Sequence, residues 1–369
     1  MDFDFSEDQV SLREAVARWV DKGFPFERRH ALAKAGGYAR EVWRELAELG
    51  LSGLTIDAAH GGLGLGAIEA MVVMEELGQG LVHAPYAAAA LVAPSVLAAA
   101  PGELQDQWLP RIASGEALVV LAHQERAARY RLDQVATRAW DSADGWRVEG
   151  LKSVVPAGDE ADAFIVPAHS AHGIRLFLVE RSAAQVRGYP TQDGARAAEV
   201  GLQAAPAQLI SADGLLLLER AVDIGIAASC AEGVGLMDRL VRMTVEYLNT
   251  RKQFGVPIGS FQALRHRMAD IKMQLELARS MSYFASMKLG EPAAQRRRAL
   301  SQAKLQLGQS MRFVGQQCVQ LHGGIGITDE YAGSHYFKRL TMLEMAYGDS
   351  QHHLGEVSAR MQDSAGVFA

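Results

Sequence analysis

The chain has 369 residues, 49% of them hydrophobic and 22% charged, with a formal net charge of −6 and a pI near 6.0. At about 100–200 residues per domain this predicts two or three domains, and the composition excludes a disordered or fibrous chain. The mild acidity gives no basic field for nucleic acid or an anionic membrane, and the two cysteines, Cys230 and Cys318, are too few for a disulfide framework or a cysteine metal site.

The N-terminus, MDFDFSEDQV, lacks the basic start and apolar run of a signal peptide. The most apolar tract, Ala87 to Ala100, is rich in Ala and broken by Pro94. It falls short of the roughly 20 consecutive apolar residues that a membrane span needs, and reads as a buried helix pair. A soluble, cytoplasmic protein follows, with no nucleic-acid or membrane partner.

A first zone, residues 1–116, reads as helices. Ser6 and Gln9 have the spacing of a capping box ahead of an amphipathic stretch through Val20. A second helix, Ala39 to Leu49, stops at Gly50. The segment AAHGGLGLGAIEA then places Gly61, Gly62, Gly64 and Gly66 before a helix over Ile68 to Leu77. Its spacing fits neither GxGxxG nor GxxxxGK[ST], so tight-turn packing is expected there and not a phosphate loop. A second zone, 117–218, carries short β-rich runs (LVVLA, WRVEG, AFIVPA, IRLFLVE) and turn dipeptides Asp144-Gly145 and His172-Gly173. These are the marks of an antiparallel sheet or barrel, with no alternating helices to suggest a Rossmann unit.

A third zone, 219–369, returns to long helices. Leu264, Met268, Ile271, Leu275 and Ala278 step by four and three, as do Leu307, Met311, Val314, Cys318 and Leu321; both are seams of a helical bundle. Arg296, Arg297 and Arg298 are expected to form a solvated helix start. The fold class is thus α+β multidomain: an N-terminal helical domain, a middle antiparallel β domain and a C-terminal helical bundle.

Hydrolase and metal signatures (GxSxG, HExxH, CxxC) are absent. Asp349 and His353, four apart, would share a helix face beside His352, and for them surface or capping roles are the default over metal binding. Two stretches are more specific. In Arg251-Lys252-Gln253-Phe254-Gly255, continuing through Gly259-Ser260-Phe261-Gln262, an Arg beside a Gly turn can grip a pyrophosphate with its planar fork. In Gln320-Leu321-His322-Gly323-Gly324-Ile325-Gly326 a helix ends in glycines that let a ligand approach the backbone.

Together the stretches RKQFGVPIGSFQALRHRMADIKMQLELAR and QLHGGIGIT resemble the C-terminal domain of the acyl-CoA dehydrogenase family. LGLSGLTIDAAHGGLGLGAIEAMVVMEELG and WLPRIASGE resemble that family's N-terminal helical domain. The resemblance implies FAD as cofactor, a coenzyme A thioester as substrate, and removal of an α proton by a carboxylate while hydride leaves the β carbon for the flavin. It places Arg251 and Gln253 on the FAD pyrophosphate and Phe254, Ile258 and Gln262 near the adenosine side. Gln320, Gly323 and Gly324 would also meet the nucleotide. In the family these groups reach the FAD of a neighbouring subunit, so an oligomer is implied.

Three departures accompany the resemblance. Tyr347, in Ala346-Tyr347-Gly348-Asp349, occupies the position of the family's usual Glu base, and a phenol of ordinary pKa near 10 is a poor base at neutral pH. The alternative base position reads Gly225-Ile226. The middle-domain run after Gly150-Leu151-Lys152-Ser153 is Val154-Val155-Pro156-Ala157, without the covering Trp and the hydroxyl, and the loop His123-Gln124-Glu125-Arg126 lacks the usual Gly-Ser. This pattern resembles the small subunits of two-component dehydrogenases such as those acting on pimeloyl-CoA. The leading expectation is therefore a base-lacking subunit that completes a partner's FAD site. The alternatives are a self-sufficient homo-oligomer using Asp349 or Glu344, and a flavin-free scaffold.

Overall fold

The computed structural model describes residues 4–37 and 40–361, and these form two compact units. Among the described residues, one unit gathers 4–29, 67–82 and 226–361, the other 30–37, 40–66 and 83–225. The helix α1 (Glu7–Gly23) opens the first unit. Ser6 Oγ accepts from the Gln9 amide while the Gln9 side chain accepts from the Ser6 amide, the expected capping box. Next along the chain come α2 (Phe26–Lys34), α3 (Arg40–Glu48) and α4 (Ala67–Gln79). Ala39, the expected start of the second helix, lies outside the described residues.

In the first unit, α4 lies against the long helix α7 (Gly214–Thr250) at a glycine contact. A Cβ at Gly235 would overlap the Glu75 carbonyl oxygen, so only glycine allows this separation. Helices α8 (Gln262–Lys288), α9 (Ala293–His322), α10 (Ala332–Met345) and α11 (Ser350–Met361) complete a bundle in which α9 packs on α8, α10 and α11. The α9 seam is buried along its whole length: Leu307, Met311, Val314, Cys318 and Leu321. On α8, Ile271, Leu275 and Ala278 are buried, whereas Leu264 and Met268 are half-buried because the helix start is open. The arginine run departs from expectation. Arg296 is buried and donates to the Glu291 carbonyl at 3.3 Å, and Arg297 and Arg298 are half-buried. The reason is that the guanidinium at the helix start folds back onto the preceding turn, covering its own aliphatic stem.

In the second unit, α5 (Ala93–Leu97) is preceded by a wider turn over Ala87–Val92. The tract from Ala87 to Leu97 is one continuous, largely buried helical run and not a helix pair. Pro94 falls inside that run and has no N–H to return to the preceding turn; the Ala90 carbonyl accepts from the Thr55 hydroxyl at 3.3 Å, and the Ala93 amide reaches back to the Ala88 carbonyl. The helix α6 (Gly102–Ala113) leads into the strands β1 (Val119–Leu121), β2 (Arg138–Ser142), β3 (Gly145–Pro156), β4 (Ala163–Ser170), β5 (Gly173–Glu180), β6 (Ala184–Pro190) and β7 (Arg196–Ser211). The pairings β4–β2–β3–β7–β5–β4 close on themselves as a barrel, with β1 added to β4 and β6 to β7. Most pairs are antiparallel, and Gly145 and Gly173 make the expected hairpin turns. Two pairs, β1–β4 and β2–β4, are parallel, which hairpin signals cannot reveal because those strands are not consecutive.

The glycine-rich loop packs, as expected. The amides of Gly61, Gly62, Leu63, Gly64 and Leu65 all donate to carbonyls between Gly53 and Ala58. A Cβ at Gly62 would overlap the Ile56 carbonyl. With those five amides turned inward, they are not available to cradle a phosphate.

Candidate functional site

The Arg251 stretch follows the last turn of α7. Lys252–Gln253 and Val256–Pro257 pair as a two-residue hairpin. Its corner, Phe254-Gly255, has φ of 53° and 83°, the doubly left-handed geometry of a type I′ turn, for which glycine is suited and Phe is not. The Arg251 amide donates to the Tyr247 carbonyl at 2.9 Å, and the Ile258 amide to the Arg251 carbonyl at 2.8 Å. Arg251, Gln253 and Gln262 are exposed, Ile258 is half-buried, and Phe254 is 91% exposed. Phe261 meets the Phe254 ring edge-on at 6.1 Å.

The second stretch ends α9. Gly323 takes φ 64° and ψ −139°, outside the range open to a residue with a Cβ. A Cβ at Gly323, Gly324 or Gly255 would meet nothing within 4 Å, so these backbones are open to an approaching group. Gln320, Gly323 and Gly324 are exposed. Contacts between the helices bring the two stretches side by side. The His322 ring lies tilted against Tyr247 with centroids 4.7 Å apart, and Arg267 of α8 donates to Gln317 of α9 at 3.3 Å. The end of α7, the start of α8 and the end of α9 therefore present every expected nucleotide contact at one end of the bundle. Arg251 forms no ion pair among the described residues, and Phe254, Ile325 and Ile327 stand out beside it, 91%, 45% and 75% exposed.

Tyr347 occupies the turn between α10 and α11. It has φ 58° and is followed by Gly348 at φ 115°. Burial pushes its phenol up to about 12, with Arg339 pulling the other way. That arginine is engaged by Glu232 of α7 in a two-point pair, Nε to Oε1 at 2.6 Å and Nη2 to Oε2 at 2.9 Å. The turn is anchored from below by Lys304, whose buried Nζ donates to the carbonyls of Leu343, Glu344 and Gly348 at 2.8, 2.9 and 3.1 Å. Both carboxylates near Tyr347 have structural tasks. Glu344 Oε1 accepts from the amide and hydroxyl of Ser350 at 3.0 and 2.8 Å, and Asp349 Oδ1 accepts from the His352 amide at 2.8 Å. Asp349 thus caps α11, while the buried His353 ring lies with Nε2 3.2 Å from the Tyr347 carbonyl. Gly225, at the alternative base position, lies well inside α7, which begins at Gly214.

In the other unit the stretches around His123 and Lys152 form their own network. Lys152 is fully buried and donates to Glu125 Oε1 at 2.6 Å and the Pro167 carbonyl at 2.7 Å. Glu125 also accepts from the Thr137 hydroxyl at 2.7 Å and the Ala136 amide at 2.7 Å. Burial lowers the Lys152 ammonium to about 8, with Glu125 opposing, and lowers His123 to about 4. At the next residues the β3–β7 register slips, Val154 takes φ 52°, and Ser153 Oγ donates to Glu199 at 2.9 Å. Sequence reasoning missed the Lys152–Glu125 pair, the Glu232–Arg339 pair and the aromatic ring of Tyr247. The two pairs join residues 27 and 107 positions apart, a separation at which no local spacing rule operates.

Comparison with known proteins accords with this arrangement. The family model for the acyl-CoA dehydrogenase N-terminal domain matches residues 6–116, and that for the acyl-CoA dehydrogenase C-terminal domain matches residues 212–362. The chain is 31% identical to acyl-CoA dehydrogenase IpdE2 of Mycobacterium tuberculosis, over 94% of this chain and 92% of that protein. It is 32% identical to the L-prolyl-(peptidyl-carrier protein) dehydrogenase of Pseudomonas fluorescens, over 80% of this chain and 83% of that one. Among solved structures it is similar to a chain of the ChsE4–ChsE5 complex of Mycobacterium tuberculosis, with TM-score 0.89 and 26% identity over 99% of this chain and 100% of that chain. Matched at both ends by the family's domain models and along most of its length by relatives above 30% identity, the chain belongs to the acyl-CoA dehydrogenase family.

Proposed function

We propose that this chain is the base-lacking subunit of a hetero-oligomeric, FAD-dependent acyl-CoA dehydrogenase. Its grip (Arg251, Gln253, Phe254, Ile258, Gln262, Gln320, Gly323, Gly324) completes the nucleotide side of a FAD bedded in a partner chain of the same family. The substrate is an acyl-CoA thioester, the setting cytoplasmic, and the organisation three domains at 1–116, 117–218 and 219–369. The observation that carries the reading is the contrast between the two halves of the site. The grip is open and its cation unspent, whereas the base position holds a phenol raised to about 12 and the carboxylates beside it are tied into helix caps.

The residues fit the nucleotide. The Arg251 guanidinium is exposed, and a planar fork suits two pyrophosphate oxygens. The open backbone at Gly255, Gly323 and Gly324 removes steric cost from close approach. Phe254 offers an apolar face to a ring. Bound FAD supplies the hydride acceptor; this chain's part is to hold its phosphates and adenosine, while α-proton removal falls to a carboxylate in the partner. Similarity to a chain of the two-chain ChsE4–ChsE5 complex supports the heteromeric arrangement.

The test is anaerobic titration of the isolated chain, mixed with FAD, with saturated acyl-CoA thioesters while following absorbance near 450 nm. No bleaching is expected until a Glu-bearing partner chain is added. Rapid bleaching by the isolated chain would overturn the half-site assignment.

A further inference from the structure

The two stretches that make up the grip come from different helices, and something must fix their spacing. Three side chains lie between them. His322 is buried at the end of α9. Its Nδ1 lies 2.8 Å from the Cys318 carbonyl, which can only accept, so Nδ1 carries the hydrogen. In the neutral ring Nε2 is then an acceptor, and the Tyr331 hydroxyl donates to it at 2.8 Å. The Tyr247 and Tyr331 rings lie tilted against the imidazole, with centroids 4.7 and 4.9 Å away. Both nitrogens of the imidazole are therefore satisfied and the ring touches both phenols.

Each member is covalently close to one part of the grip. Tyr247 gives its carbonyl to the Arg251 amide, which begins the hairpin. His322 immediately precedes the Gly323 corner, and a Cβ at Gly326 would press on His322 Cβ at 3.0 Å. Gly333 leaves the room that Tyr331 needs, since a Cβ there would lie 2.8 Å from its ring.

We propose that Tyr247, His322 and Tyr331 form a positioning clamp that sets the distance between the Arg251 hairpin and the Gly323–Gly324 turn, so that both meet one pyrophosphate. The clamp acts through the grip and touches no ligand itself. Its purpose rests on the FAD reading above, but its mechanical content, coupling of the two stretches, is measurable without flavin.

Amide hydrogen exchange on the full chain reads that coupling. Arg251 and Ile258 report the hairpin, and Gly323 and Thr328, whose amides donate to Gln320 and Ile325, report the turn. Tyr331→Phe deletes one hydroxyl at the turn side and keeps the ring. Loss of one part-buried hydrogen bond is expected to speed exchange roughly two- to tenfold, and to do so at Arg251 and Ile258 as well as at Gly323 and Thr328. Tyr247→Ala is expected to loosen both sets, and Tyr247→Phe, which keeps the ring contact, to match the wild type. Faster exchange confined to the mutated side in Tyr331→Phe and Tyr247→Ala would overturn the clamp and leave only local packing. In a flavin-loaded assembly, the same two variants are expected to retain less FAD, and Tyr247→Phe to retain as much as the wild type. An assembly of the wild type that holds no FAD would refute the flavin reading alone, leaving the exchange result to judge the clamp.

Discussion

Phe254 carries a cost in the free chain that a partner can offset. It adopts φ 53° at a corner next to Gly255, and a side chain in the left-handed region costs about 1–2 kcal/mol. Its ring recovers little, being 91% exposed with a single edge contact to Phe261. Asn tolerates this conformation, and Asn-Gly is a favoured pair for a type I′ corner. Phe254→Asn is therefore expected to steady the hairpin in the isolated chain by about 1 kcal/mol, seen as roughly fivefold slower exchange of the Ile258 amide. In the flavin-loaded assembly the sign reverses. Burying a Phe side chain is worth about 1.5–3 kcal/mol, so the variant is expected to hold FAD roughly ten- to a hundredfold more weakly, measured as flavin stoichiometry after gel filtration. Faster exchange in the variant would refute the strain argument, and unchanged flavin retention would place the ring outside the interface.

Arg251→Ala is expected to weaken FAD retention in the assembly by about 1.5–3 kcal/mol while leaving the thermal midpoint of the free chain unchanged, because the exposed guanidinium supports nothing in the fold. Lys152→Met strands the Glu125 carboxylate in the barrel unit and is expected to cost about 3–5 kcal/mol in urea unfolding, part of it restored by adding Glu125→Gln; a loss below about 1 kcal/mol would show the pair is not shielded from water. Glu75, buried in the helical unit, has its carboxyl pushed up to about 7 from an ordinary 4.5 by desolvation, with Arg279 and Arg13 opposing. The folded chain then holds a proton that the unfolded chain has lost, so stability falls as pH rises from about 4.5 to 7, by at most about 1.4 kcal/mol per pH unit. Glu75→Gln is expected to flatten that slope in urea midpoints between pH 5 and 8, and an unchanged slope would count against the assignment.

The sequence determined what depends on neighbours along the chain. The Ser6–Gln9 capping box, the Gly145 and Gly173 hairpin turns, the α9 seam from Leu307 to Leu321 and the family motifs at both ends all rest on spacings of a few residues, where backbone geometry alone sets who meets whom. Motif position also put Tyr347 where the family's Glu base is expected, the reading on which the proposed half-site rests. Tertiary structure decided what depends on residues far apart in the chain or on depth of burial. The strand pairs β1–β4 and β2–β4 are parallel because barrel closure, not turn chemistry, brings them together. The Arg296 side chain is withdrawn from solvent by the turn it folds over, which charge counting cannot foresee. Asp349 and Glu344 look like spare bases in sequence, but unpaired amides at the start of α11 claim them first. The nearness of the Arg251 hairpin and the Gly323 turn is likewise a tertiary property: they lie far apart in sequence, and the tilted rings of Tyr247 and His322 meet at 4.7 Å between their helices.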